Sequence, residues 1–159
     1  MNQLPIFISL DVVDDYHRVI PVAIAWSLPD GQIKSTLIRP DQHWEIDAIS
    51  LTNVDLDTMF EQGATPAEIV TEMNLDFDDN TVYCFDEYQD IPALDTLFEA
   101  INDEAGFELL AWSTAFTSAS SDQIFETANW ISELNNLDLS VAEDRVKRML
   151  LSYDELQSN

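Results

Sequence analysis

Basic residues are scarce in this chain: six Lys and Arg stand against 31 Asp and Glu, a formal net charge of -25 over 159 residues. Affinity for nucleic acid comes largely from basic groups that displace counterions from phosphates. A surface of this sign repels DNA and RNA as a whole, so any nucleic-acid site must be local. Cysteine is nearly absent too. The single Cys84 excludes an intramolecular disulfide, and its place in the apolar run TVYCF reads as a buried thiol, not a nucleophile. No apolar run approaches the roughly 18 residues of a membrane span. The opening MNQLPIFISL lacks the basic start and small-residue cleavage site of a secretory signal. The expectation is a cytoplasmic protein with no membrane partner.

What is present is enough apolar material, 46% of residues, to build a proper core, and no repeat or linker divides the chain, so one domain over residues 1–159 is expected. PIFISLDVV and VIPVAIAWSL are rich in β-branched and aromatic residues, and PDG leads from them into the alternating QIKSTLIRP. These three segments predict an antiparallel meander, and apolar residues on both faces of the first two predict helices covering both sides of the sheet. Pro21 belongs near the start of the second strand, where a missing donor matters least. HWEIDAISLTNVDLDTMFEQG reads as a loop with a short helix. In TPAE, Thr65 is the N-cap, Pro66 the first helical residue and Glu68 the closing member of a capping box; Ile69, Val70 and Met73 follow as the buried face.

TVYCF and FELLAW are short strands on either side of a helix. In that helix Leu94, Leu97, Phe98 and Ile101 share one stripe and Gly106 supplies the stop. The Ser-rich STAFTSASS is a loop or lid before a helix through DQIFETANWISELN. A last helix is expected to begin at Ser140, with SVAE as another capping box. The order β-β-β-α-β-α-β-α-α implies an α/β fold with a mixed five-stranded sheet flanked by helices.

The acids with the most suggestive placement are Asp11, ending the first strand, Asp90, beside the helix that carries Leu94, and Asp144, in the first turn of the last helix. With these residues the chain resembles, over nearly its full length, the DEDD (DnaQ-like) 3′-5′ exonucleases of ribonuclease H-like fold. In that family the first strand ends in Asp-x-Glu; FISLDVVDD supplies Asp11 and has Val13 at the Glu position. YQDIPAL matches the second motif through Asp90 and Leu94. LSVAEDRVKR supplies Asp144 for the third, but Leu139 stands at the His position of His-x4-Asp and Ser140 at the Tyr position of Tyr-x3-Asp. The resemblance implies Mg²⁺ or Mn²⁺ held by Asp11, Asp90 and Asp144. Two such ions activate the attacking water and stabilise the leaving oxygen of a phosphodiester.

Positions 11 and 13 of a strand share one face. Valine cannot ligate a metal, and leucine can neither orient nor deprotonate a water. Substitutes exist nearby. Asp14 lies one residue off the wanted face, Asp15 lies on it but roughly 6–7 Å further along, and Asp86 and Glu87 follow TVYCF. The two histidines, His17 and His43, fall in expected loops and read as surface groups. Each retained acid also has an ordinary structural explanation: Asp90 as N-cap of a helix starting at Ile91, Asp144 as a dipole complement off the stripe of Val146, Met149, Leu150 and Tyr153. Asp11 is the hardest to explain that way.

Three functions follow from these residues. The first is an exonuclease-like domain with a degenerate site and impaired catalysis, kept for binding or regulation. The second is an active exonuclease on short single-stranded DNA or RNA with a rearranged site, its substrate guided by the cluster Arg145, Lys147 and Arg148. The third is an acidic module that binds a basic protein or mimics nucleic acid. The cluster also has a local explanation, as helix ion pairs, and the acidic bias has one in solubility or a saline cytosol.

Overall fold

In a computed structural model, residues 3–14, 18–44, 55–78 and 80–157 are described. Asp15, His17 and most of the segment read as a loop before the short helix lie outside them. The expected meander is present: β1 (Ile6–Asp14), β2 (Val19–Ser27) and β3 (Ile33–Leu37) pair antiparallel. The tight turn between β2 and β3 needs Gly31, whose φ of 91° is open to glycine at little cost. α1 (Leu56–Gln62) and α2 (Pro66–Phe77) follow, then β4 (Thr81–Cys84), α3 (Glu87–Glu99), β5 (Glu108–Ala111), α4 (Ser121–Leu134) and α5 (Ala142–Gln157). β4 joins β1 in parallel and β5 joins β4 in parallel, giving a five-stranded mixed sheet ordered β3-β2-β1-β4-β5.

Alternation along β1 divides the core. Ile6, Ile8 and Leu10 pack with Ile69, Val70, Met73 and Phe77 of α2 and with Leu94 and Leu97 of α3. Phe7 points the other way, into a second cluster with Ile124 of α4 and Val146 and Met149 of α5. Helices thus cover both faces, as the two-sided apolar pattern predicted. α2 starts as read: Thr65 and Glu68 form a reciprocal capping box with Pro66 in the first turn. Lys34 bridges β3 to α2 through Glu72 and Asp76, each at 2.8 Å. Cys84 is fully buried, and its thiol is pushed up to about 12, chiefly by burial and then by the charges of Asp90 and Glu87.

Four expected boundaries are corrected. β1 runs on to Asp14, so Asp11 lies inside the strand and does not end it. α3 begins at Glu87, capped by Asp86, whose carboxylate accepts from the Tyr88 amide at 3.0 Å; Asp90 is therefore inside the helix, not its cap. α3 ends at Glu99, before Gly106, and the chain turns through Asn102 at a φ of 54°. α5 begins at Ala142, and the Ser140 hydroxyl donates to Asp138 at 2.6 Å instead of capping it. The Ser-rich loop after β5 opens with a 3₁₀ turn at Trp112–Ala115.

Candidate functional site

The carboxyl end of β1 gathers most of the residues that the sequence singled out. Pro21 has no amide hydrogen to give the ladder, and the pairing shifts beside it: Asp11 lies opposite Ala23 while Val12 lies opposite Pro21. Val13 is half-buried and packs, with Val12 and Val19, against the α2–α3 cluster. The clean alternation that would pair positions 11 and 13 on one face does not hold there. Asp14 is paired with Val19 as the last residue of β1.

Asp90, only 1% exposed, reaches across from α3 to the strand ends. Its Oδ1 accepts from the Leu10 amide at 3.2 Å and its Oδ2 from the Asp86 amide at 2.9 Å. Burial pushes its carboxyl up to about 6, against the pull of those two amides and of the Arg145 charge. Asp90 thus ties β1 to the β4–α3 turn.

Asp11 is held from the opposite side. One oxygen accepts from the Ala142 amide at 3.3 Å, so a β-strand carboxylate takes the place of a local cap at the start of α5. The other lies 2.6 Å from Nη2 of Arg145. Arg145 is 7% exposed and is fixed by three further bonds: Nε to Ser9 Oγ at 2.7 Å, Nη2 to the Leu10 carbonyl at 2.9 Å and Nη1 to the Leu139 carbonyl at 3.0 Å. Its guanidinium carbon sits 5.6 Å from the centre of the Phe85 ring, within cation–π range.

Asp144 does not join them. Its Oδ2 accepts from the Asp138 amide at 2.9 Å and its Oδ1 lies 3.9 Å from Lys147, so it braces the turn before α5. The α5 residue that reaches Asp11 is Arg145, one position on. Leu139 contributes its carbonyl to Arg145 while its side chain is partly exposed.

The cluster Arg145, Lys147 and Arg148 is corrected as well. Arg148 is 8% exposed and donates to the Ala128 carbonyl and to Asn129 of α4 at 3.3 and 3.0 Å. Two of the three charges are therefore internal, serving α5–β1 and α5–α4 packing, and only Lys147 is exposed. They make no continuous basic surface for a phosphate backbone.

The residues at this site do not fit a pair of divalent ions. A permanent cation already lies against Asp11, Asp90 is engaged by two amides, and Asp144 faces its own turn. Among the described residues, no three His, Cys, Asp or Glu side chains are gathered as a metal site would require. Of the two further candidate ligands, Asp15 lies outside the described residues and Asp86 uses its carboxylate to cap α3. His43 is exposed. Ser9 and Arg145 are the partners that sequence reasoning missed. The signals were a lone serine inside the apolar run IFISL and an arginine in helical phase with Ala142, Met149 and Ser152.

No protein-family model matches the chain and no curated protein matches it in sequence. Solved structures do match. Exonuclease I of E. coli in complex with a dA16 oligonucleotide superposes with a TM-score of 0.65 at 8% identity, over 98% of this chain and 41% of that one. A moderately thermophilic exonuclease I from Methylocaldum szegediense gives 0.51 at 14% identity, over 67% and 27%. A chain from the yeast NOT1 MIF4G domain co-crystallised with CAF1 gives 0.61 at 13% identity, over 99% and 80%. The chain spans less than half the length of the exonuclease I chains. At these identities the likeness is one of fold: a ribonuclease H-like mixed sheet with helices on both faces, as exonuclease I has. No helix among the described residues is long and apolar enough to cross a membrane.

Proposed function

We propose that this chain is an exonuclease-like domain of the DEDD type in which two-metal hydrolysis is lost or severely weakened, and which is kept for a binding or regulatory role. The observation that carries this reading is the guanidinium of Arg145, 2.6 Å from the Asp11 carboxylate. It neutralises Asp11 as a metal ion would, but it has no open coordination position and cannot lower the pKa of a water. Val13 removes a ligand and Leu139 removes a base, so water activation, ligation and charge supply are altered at three separate positions. Asp11 and Asp90 persist in this reading because they join β1 to α5 and to α3.

The test is release of the terminal nucleotide from a 3′-labelled oligonucleotide, titrated with Mg²⁺ and with Mn²⁺, on the wild type and on Asp11→Asn. The expected result is no metal-dependent release from either. Release by the wild type that vanishes in Asp11→Asn overturns the proposal and establishes the alternative, an active metal-dependent exonuclease with a rearranged site.

A further inference from the structure

A cleft of about 210 Å³ opens at the carboxyl ends of β4 and β5, between the starts of α3 and α4. Open α/β sheets place ligands in crevices of this kind, beyond the carboxyl ends of parallel strands. The rings of Phe85, Tyr88, Trp112 and Phe125 line it, and Asp86 and Glu87 stand at its edge. Tyr88 is 86% exposed and Phe125 63% exposed, and neither belongs to the two core clusters. Two large rings on neighbouring helices thus face solvent beside one cavity, an arrangement that packing does not require.

The electrostatics narrow the occupant. No basic residue lines the cleft, and the first turn of α4 adds Asp122 to Asp86 and Glu87. Arg145 lies against the Phe85 ring, and its charge is already met by Asp11. The starts of α3 and α4 turn positive dipole ends of about half a charge each toward the cleft, and Asp86 is committed as a cap, but the full charges of Glu87 and Asp122 outweigh them, so within a chain of net charge -25 the cleft disfavours phosphate and favours a cation. Ring faces bind ammonium or guanidinium groups, and the apolar walls suit the methylene stem of such a side chain. The volume lies below the roughly 300 Å³ at which pockets for drug-sized ligands begin, which suits one side chain.

We propose that this cleft captures an Arg or Lys side chain, flanked by apolar residues, from an extended segment of a partner protein. The proposal goes beyond the loss of hydrolysis and does not depend on it, since peptide capture and nucleotide release are separate measurements.

The probe is a fluorescein-labelled octapeptide of alternating Arg and Leu, followed by anisotropy in about 0.3 M NaCl, where long-range attraction to the acidic surface is screened. Tyr88→Ala/Phe125→Ala, which changes no charge, is expected to weaken binding about tenfold. Asp103→Asn/Glu104→Gln, which removes two exposed charges beyond the far end of α3, is expected to change it less than about twofold. Absence of binding, or equal losses in the two double variants, overturns the proposal in favour of general acidic attraction. So does an oligo-dT that displaces the peptide and itself depends on Tyr88 and Phe125. Should the aromatic variant fold poorly, a peptide-dependent change in tryptophan emission that Trp112→Phe abolishes supports the cleft, and a change that survives Trp112→Phe overturns it.

Discussion

Arg145→Ala tests the internal cation directly. The substitution removes a buried guanidinium and strips partners from Ser9 Oγ, from the Leu10 and Leu139 carbonyls, and from one oxygen of Asp11. Breaking a buried ion pair from one side costs about 3–5 kcal/mol. The Asp11 side chain is 25% exposed, so water replaces part of the lost interaction and the lower end, about 3 kcal/mol, is expected. For a chain of this size that is a fall in Tm of roughly 6–12 °C. Asp11→Asn strands the arginine instead, and the double variant should be more stable than the two single losses added together, since the pair fails as a unit. The second readout is metal. With the guanidinium gone, Asp11 and Asp90 lose their counter-charge, so Mn²⁺ should raise the Tm of Arg145→Ala and leave the wild type unmoved. Thermal melts with and without Mn²⁺ and a urea double-mutant cycle measure both effects. A wild type stabilised by Mn²⁺ as much as the variant, or additive single losses, refutes the idea that Arg145 serves Asp11 as a cation.

Asp90 titrates in the folded protein near 6, above its ordinary 3.8, so its contribution to stability is full below about 3.8 and is lost as pH rises through about 6. The stability of wild type relative to Asp90→Asn should therefore fall by roughly 2–2.5 kcal/mol between pH 4 and pH 7; urea melts that give a constant difference contradict the assignment. Cys84, with its thiol near 12 and fully buried, should react with a disulfide reagent at pH 8 no faster than the protein opens. Rapid stoichiometric labelling of the native protein would place the thiol elsewhere. A Cβ on Gly63 would run into the Met59 carbonyl oxygen, the Arg39 nitrogen at 2.5 Å and the Ile38 carbonyl carbon at 2.8 Å, all backbone atoms that cannot step aside. Gly63→Ala should cost at least about 2 kcal/mol by chemical denaturation, and a neutral result would show that the α1–β3 junction is looser than described.

The elements that could be read from sequence are those governed by local rules. β-Branched alternation gave the meander, and Thr65, Pro66 and Glu68 marked the start of α2 without help from the rest of the chain. The start of α3 was misplaced because DEYQD offers two acids able to cap. A helix capped by Asp90 would hold Pro92 in its first turn, where proline is tolerated, so the local rules accept that start as well as the other. In the fold Pro92 lies further inside the helix, and Asp86 makes the cap. SVAE satisfied the capping pattern just as TPAE did, yet Ser140 is committed to Asp138 and the α5 start turns to Asp11, 131 residues earlier. A cap supplied from a distant strand leaves no local signature.

The same nonlocality explains how the site was half-read. Asp11 stood out because an acid within a strongly apolar strand is unusual locally, and Asp90 because YQDIPAL matches the second motif of the family the chain resembles, since an acid at a helix start is by itself ordinary. Their partners were not found, because an arginine among EDRVKR looks like surface charge until β1 is laid beside it. Once it is, the scarcity of basic residues takes on a different meaning. Of six, Arg145 and Arg148 are buried, each bonded to a neighbouring element, and Lys34 is tied to α2 by two carboxylates. A chain that spends scarce positive charge on internal joints leaves its outer surface more uniformly negative than composition alone implies. Such a charge balance works against phosphate backbones and for cationic partners, and it agrees with the proposed role, in which Arg145 stands against Asp11.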